Sequence, residues 1–216
     1  MCRVVIVPAV QVSSEGSPID RSVARLFALV TEAVAGATQA LLRGEISLGT
    51  AVIEGDRLID ELTLEVEQAV WDRVDTESPR GEELRRLIGI LRILPELERS
   101  ADLAEHIAQR AVINLGAEMS PLSRGIVQRM TEVALEMWKA AADAFGAPDP
   151  QVINLDEEDE EIDILHERLT GEVARGVMPT AVAAQVTLLA RFYERLGDHA
   201  VNIAKRVALL PRQAGS

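Results

Sequence analysis

The sequence predicts an all-α protein built as two tandem three-helix bundles, and three observations carry that prediction. From Ile19 onward apolar residues recur at spacings of three and four, and no segment alternates polar and apolar residues as a half-buried strand does. Glycine, proline and serine breakers cut the chain into six long segments. The last three segments also echo the first three. Asp56-Arg-Leu-Ile-Asp60 returns as Asp159-Glu-Glu-Ile-Asp163 at an offset of 103, and Glu98-Arg-Ser-Ala-Asp102 returns as Glu194-Arg-Leu-Gly-Asp198 at an offset of 96. A fainter echo joins Thr31-Glu32 to Thr131-Glu132. Between the two clear landmarks the second half is shorter by 7 residues. That is about two helical turns, so removing roughly one turn from each arm of a helical hairpin keeps both faces in register. A single elongated bundle of six helices is the alternative arrangement.

The segments place helices near residues 20–43, 47–75, 80–115, 121–145, 152–175 and 179–210. Gly44 closes the first, Ser78-Pro79 the second and Gly116 the third, and Ser120-Pro121 opens the fourth. Gly146-Ala-Pro148 and Asp149-Pro150 part the fourth from the fifth, and Gly176 to Pro179 part the fifth from the sixth. The expected domains are an N-terminal arm over residues 1–18, of unassigned structure, a first bundle over 19–116 and a second over 120–211. Pro95, inside the third helix, should kink it just before Glu98. Trp71 and Trp138 are expected to pack between helices.

Composition narrows the function classes. The 216 residues include 22 Lys+Arg against 35 Asp+Glu, a formal charge of -13, with 48 % hydrophobic and 26 % charged residues. This describes a globular chain and not a disordered acidic tail. Only 3 % of residues are aromatic, so Leu, Ile, Val and Ala must build the core. The acidic balance argues against a protein that coats phosphate backbones, which needs a basic footprint. Cys2 is the only cysteine, which excludes an internal disulfide framework and a cysteine-rich zinc knuckle. No apolar run reaches the roughly 18 to 20 residues of a membrane span. The apolar opening Met1–Val10 is short and lacks a basic flank and an Ala-x-Ala cleavage site, so a cytoplasmic location is expected.

The chemistry lies in acidic rows. Glu194, Asp198 and Asn202 stand at i, i+4 and i+8 on the last helix, away from its apolar stripe through Val186, Leu189, Tyr193, Leu196 and Ala200. Glu98, Asp102 and His106 repeat the row on the third helix. Asp56 and Asp60 on the second helix, and Asp159 and Asp163 on the fifth, border their own apolar stripes. If each middle helix packs antiparallel to the third of its set, four carboxylates converge once in each repeat. Such clusters repel, and two kinds of positive charge could relieve them. One is a hard or borderline metal ion; the other is arginine, for which Arg99 and Arg195 follow the key glutamates. A solvated helix face is the bland reading of the same spacing.

His199 lies off the acidic row and is expected to pack or hydrogen-bond. His166 completes an Asp-x-x-His step with Asp163, but a di-iron bundle would need Glu-x-x-His pairs inside the core. The acidic run Asp156–Glu161 suits a helix N-terminus and lacks the loop of an EF-hand. There is no glycine-rich phosphate loop, no Gly-x-Ser-x-Gly elbow and no His-Glu-x-x-His helix.

Glu98-Arg-Ser-Ala-Asp-Leu-Ala-Glu-His-Ile-Ala108 and Glu194-Arg-Leu-Gly-Asp-His-Ala-Val-Asn-Ile-Ala204 resemble the twin signatures of the PhoU family of phosphate-signalling proteins. The second copy is the closer, through its Gly-Asp-His-x-x-Asn-Ile-Ala ending. In the first, Ser100-Ala101 replaces the Ile/Leu-Gly step and His106 stands where the second has Asn202. The resemblance covers about residues 20–210 and implies a PhoU-like repeat with surface metal clusters of iron or zinc. The implied metal-binding residues are Asp56, Asp60, Glu98 and Asp102 in the first repeat, and Asp159, Asp163, Glu194, Asp198 and Asn202 in the second. It further implies a non-enzymatic cytoplasmic negative regulator of phosphate uptake and the phosphate-starvation response. That regulator would act as an adaptor between the phosphate ABC transporter ATPase and its sensor histidine kinase, with a tendency to form a homodimer. The competing readings are a metal-dependent oxidase or hydrolase on a helical bundle, and a metal-free helical scaffold.

Overall fold

The computed structural model describes residues 16–147 and 152–211. Its helices, in chain order, are α1 (Pro18–Arg43), α2 (Ile46–Glu77), α3 (Glu82–Val112), α4 (Leu115–Glu118), α5 (Pro121–Gly146), α6 (Asp156–Ala174) and α7 (Thr180–Val207). Helices α1 to α3 pack on one another as one three-helix bundle, and α5 to α7 as a second. The bundles join along two seams, α1 on α5 and α3 on α7. Most of the expected N-terminal arm, residues 1–15, lies outside the described residues.

The helix ends follow from local chemistry. Ser17 caps α1 by accepting from the Asp20 N–H, while Asp20 reaches back to the Ser17 N–H, and Pro18 fills the first turn. Gly44, at φ 70°, ends the helix in the left-handed region. Ser120 and Pro121 start α5 in the same way, with the Ser120 hydroxyl accepting from the Ser123 N–H at 3.0 Å. Helix α6 begins at Asp156, later than the spacing predicts, because the Asn154 side chain accepts the Asp156 N–H and holds the preceding residues out of the helix.

The third helix is also shorter than expected. It stops at Val112, and Asn114 turns left-handed (φ 60°) before the single turn of α4. Gly116 makes that turn possible: a Cβ there would lie 1.9 Å from the Leu41 carbonyl oxygen. Arg124 fastens the crossing by donating to the Gly116 carbonyl at 2.9 Å and to the Leu42 carbonyl. Pro95 lies within α3 without ending it.

One apolar core runs through both bundles. Phe27 of α1 meets Trp138 and Phe145 of α5, with ring centroids 6.2 and 5.6 Å apart. Trp138 is fully buried and donates its indole N–H to the Leu196 carbonyl at 3.1 Å. Helix α1 alone among the described residues has the length and apolar composition of a membrane span, although its apolar residues are interrupted by polar ones. Val23, Leu26, Phe27 and Val30 explain that composition, since all four are buried between the bundles' helices.

The α3–α7 seam relates the repeats by an approximate two-fold. At the offset of 96, Glu96 corresponds to Phe192 and Arg110 to Arg206. On one side Arg206 pairs with the buried Glu96 carboxylate at 2.8 Å; on the other, Arg110 lies 4.9 Å over the Phe192 ring. The same cross-seam positions thus hold an ion pair in one half and a cation–π contact in the other.

Candidate functional site

Each third helix of a repeat carries its acids on the outer face, and each second helix brings its own pair alongside. In the first repeat Asp56 and Asp60 on α2 face Glu98 and Asp102 on α3. Asp56 feels the field of all three, and its carboxyl is pushed up to about 6, first by burial and then by Asp60, Asp102, Glu105 and Glu98. Asp56 Oδ1 is buried without a hydrogen-bond partner. Burial, Asp60 and Asp102 also raise Glu98, with Arg99 opposing. The α2 and α3 acids are therefore near enough to feel one another's charge. Glu105 and Glu67 add to the same field, and the sequence reading did not single them out. Glu105 stands seven residues after Glu98, a spacing that keeps it on the same face.

The second repeat is built likewise. Asp159 is raised by burial first, then by Asp163 and Asp198, against the pull of Lys205. Glu194 is raised mainly by burial, with Asp198 and Asp163 adding and with Arg191 and His166 opposing. Arg191 is paired directly with Glu194, whose other oxygen is buried and unpartnered. Gly197 lets α6 come this close: a Cβ there would stand 3.0 Å from Ile162 Cδ1 and 3.5 Å from Asp159 Oδ1. The glycine of the second signature thus sits where α6 approaches closely, beside an acid. Asp163, Asp198 and Asn202 are exposed, as are Glu98 and Asp102.

The iron or zinc cluster expected from the resemblance does not fit these side chains. Among the described residues no three of His, Cys, Asp or Glu come together closely enough to hold a metal ion. The acids act on one another through their fields without converging as donors on a common point. Arginine and lysine supply the compensating charge where there is any, through Arg99, Arg191 and Lys205. The histidines do not complete a donor set. His106 stacks on Phe192, with centroids 5.4 Å apart, and His199 is buried in the α3–α7 seam.

That seam holds a group the sequence did not reveal. Ser100 Oγ lies 2.8 Å from His199 Nδ1, and Glu96 Oε2 lies 3.8 Å from His199 Nε2. Serine, histidine and carboxylate together resemble a nucleophilic site, but Ser100 is fully buried and donates to the Glu96 carbonyl at 2.7 Å. A hydroxyl closed off from solvent and already committed to the backbone has no route to a substrate. Burial also holds the His199 imidazole below its usual range, which keeps it neutral in the seam. The residues lie on α3 and α7, 99 positions apart, so no local spacing announces them.

Fold and site together define a tandem three-helix repeat whose two outer faces carry acidic rows and whose Ser100–His199 pair is sealed in a seam. The PhoU domain family model matches residues 23–111 and 127–207, and the chain belongs to that family. It is 31 % identical over 198 residues to phosphate-specific transport system accessory protein PhoU homolog 2 of Mycobacterium tuberculosis, covering 88 % of this chain and 92 % of that one. It is 34 % identical over 179 residues to the PhoU homolog of Aquifex aeolicus, with 80 % of each covered. The crystal structure of PhoU from Pseudomonas aeruginosa superposes with a TM-score of 0.82 at 25 % identity, covering 89 % of this chain and 94 % of that one. The chain is accordingly a PhoU-type phosphate-regulatory protein and not an enzyme.

Proposed function

We propose that this protein acts in the cytoplasm as a helical adaptor between a phosphate ABC transporter ATPase and its sensor histidine kinase, holding the kinase in its non-signalling state. The observation that supports this reading is the pair of like-charged faces. Asp56 and Glu98 in one repeat, and Asp159 and Glu194 in the other, are carboxylates raised first by burial and then by neighbouring acids. Held on one continuous core, they keep a negative charge that Arg99, Arg191 and Lys205 offset only in part and that a basic partner surface would relieve. Two such faces on one body suit a protein that bridges two others. In this reading Asp56, Asp60, Glu98 and Asp102 contact one partner and Asp159, Asp163, Glu194, Asp198 and Asn202 the other.

The test is binding of the purified chain to the ATPase and to the kinase from the same organism by calorimetry, with kinase autophosphorylation measured alongside. Binding to both is expected, with Asp159→Asn/Asp198→Asn weakening one complex and Asp60→Asn/Glu98→Gln the other. Binding to neither protein, or indifference of both complexes to the charge changes, overturns the reading. Sedimentation of the free chain tests the homodimer in the same preparation.

A further inference from the structure

The outer face of α2 carries an apolar ridge that the fold does not use. Leu64 and Trp71 stand seven residues apart, so their side chains line up about two turns from one another. They remain 66 % and 49 % exposed. Both tryptophans were expected between helices. Trp138 is there, whereas Trp71 borders an open depression of about 420 Å³ lined by Leu64, Glu65, Glu67 and Gln68. The repeat supplies a control for whether the architecture needs this ridge. At the offset of 103, Leu64 and Trp71 correspond to Glu167 and Ala174 on α6, so the second bundle is built without it. A half-exposed Trp is the side chain that most often anchors an interface, and Leu64 extends its apolar surface along the same line.

The charge around the ridge selects the occupant. Helix α2 carries nine Asp and Glu against two Arg, and Glu61, Glu65, Glu67 and Asp72 lie beside Leu64 and Trp71. A second copy presenting the same face, or an anionic membrane, would meet repulsion there. A helix with apolar residues at i, i+3 or i+4, and i+7, flanked by Lys or Arg, matches both the spacing and the charge.

We infer that the Leu64–Trp71 face of α2 is a docking site for a basic amphipathic helix of a partner protein. The inference rests on the adaptor reading and specifies the kind of element one partner offers. The probe is a peptide of about 18 residues, or five helical turns, with Leu on one face and Lys on its flanks; its scrambled and Lys→Glu versions are controls. Trp138 is sealed in the core, so a blue shift and loss of acrylamide quenching report on Trp71.

A single-site complex is expected, weakened about tenfold or more by Leu64→Ser and by Trp71→Ala in calorimetry and unchanged by Ile164→Ser on α6. Thermal melts check that each variant folds. Equal binding of the scrambled peptide, or indifference to Leu64→Ser, overturns the inference. So does a dimer in sedimentation that Leu64→Ser abolishes, which makes a second copy the occupant. Quenching of Trp71 that rises in Val5→Ser/Ile6→Ser also overturns it, by making the chain's own N-terminal segment the occupant. Wild type and Leu64→Ser binding the ATPase and kinase equally well removes the docking site and leaves the adaptor reading standing. Ridge-dependent peptide binding with neither protein bound does the reverse.

Discussion

Asp56 is the carboxylate least suited to its surroundings. Its carboxyl is pushed up to about 6 by burial and by Asp60, Asp102, Glu105 and Glu98, and one of its oxygens has no hydrogen-bond partner. Between its ordinary value of 3.8 and about 6, the folded protein holds a proton that the unfolded chain has released. Stability from this group is therefore complete below 3.8 and lost as pH rises through 6. Full linkage would make the shift worth about 3 kcal/mol, but Asp56 is only partly buried, and solvent screening reduces this to roughly 1 kcal/mol. Asp56→Asn should stabilise the protein by about that amount at pH 7.5 and by almost nothing at pH 4. Urea melts at the two pH values measure the difference, and equal effects at both would remove the cause given. The spacing of Asp56 to Asp60 was legible in the sequence. What this arrangement costs was not, because it depends on which acids α3 brings across from positions 98 to 105. The Thr31 and Thr131 echo was legible as a repeat without a role. Both threonines are buried and donate back to the carbonyl four residues earlier, and the Thr131 hydroxyl also lies 3.2 Å from that of Thr38 across the α1–α5 seam.

Helix boundaries were readable where a side chain sets them, and less so where packing does. Ser120-Pro121 and Gly44 mark ends that the structure keeps, since caps and left-handed turns are local chemistry. Gly116 reads in sequence only as a breaker, and the spacing ran the third helix nearly to it. Its actual role is close approach: α4 lies with Gly116 against the Leu41 carbonyl. Gly197 also lies at a close approach, but there the nearest atom is the tip of the flexible Ile162 side chain, at 3.0 Å, and no backbone. The two glycines should therefore respond differently to the same methyl. Gly116→Ala must push a backbone oxygen aside and is expected to cost about 3 kcal/mol. Gly197→Ala gains about 1 kcal/mol of helix propensity, which offsets the shift of one side-chain tip and leaves a net change within about 1 kcal/mol. Chemical denaturation of the two variants measures this, and comparable losses at both positions would contradict the close-approach account of Gly116.

The two bundles are one body because their seams are filled, and the α3–α7 seam is filled differently in its two halves. Glu96 is 5 % exposed and has Arg206 as its cation, with His199 beyond it; the corresponding half uses Phe192 under Arg110. The outline of two joined repeats was visible in the offsets of 103 and 96. The asymmetry of the seam was not, because the residues that break the two-fold, Glu96 against Phe192 and Ser100 against Leu196, look like ordinary divergence until α3 and α7 face each other. The Phe192 half shows that the fold can close this seam without a buried carboxylate. The ion pair should therefore contribute little net stability while being costly to break. Arg206→Ala leaves Glu96 buried beside a neutral imidazole and should cost about 3 kcal/mol. Glu96→Leu combined with Arg206→Leu removes both charges, so it should recover most of that loss. If the double variant is as unstable as Arg206→Ala, the pair holds the seam together by attraction. If it returns close to wild type, the pair's contribution lies in the register of α3 on α7. Amide exchange along those two helices would then quicken in the double variant, even though the global unfolding free energy is restored.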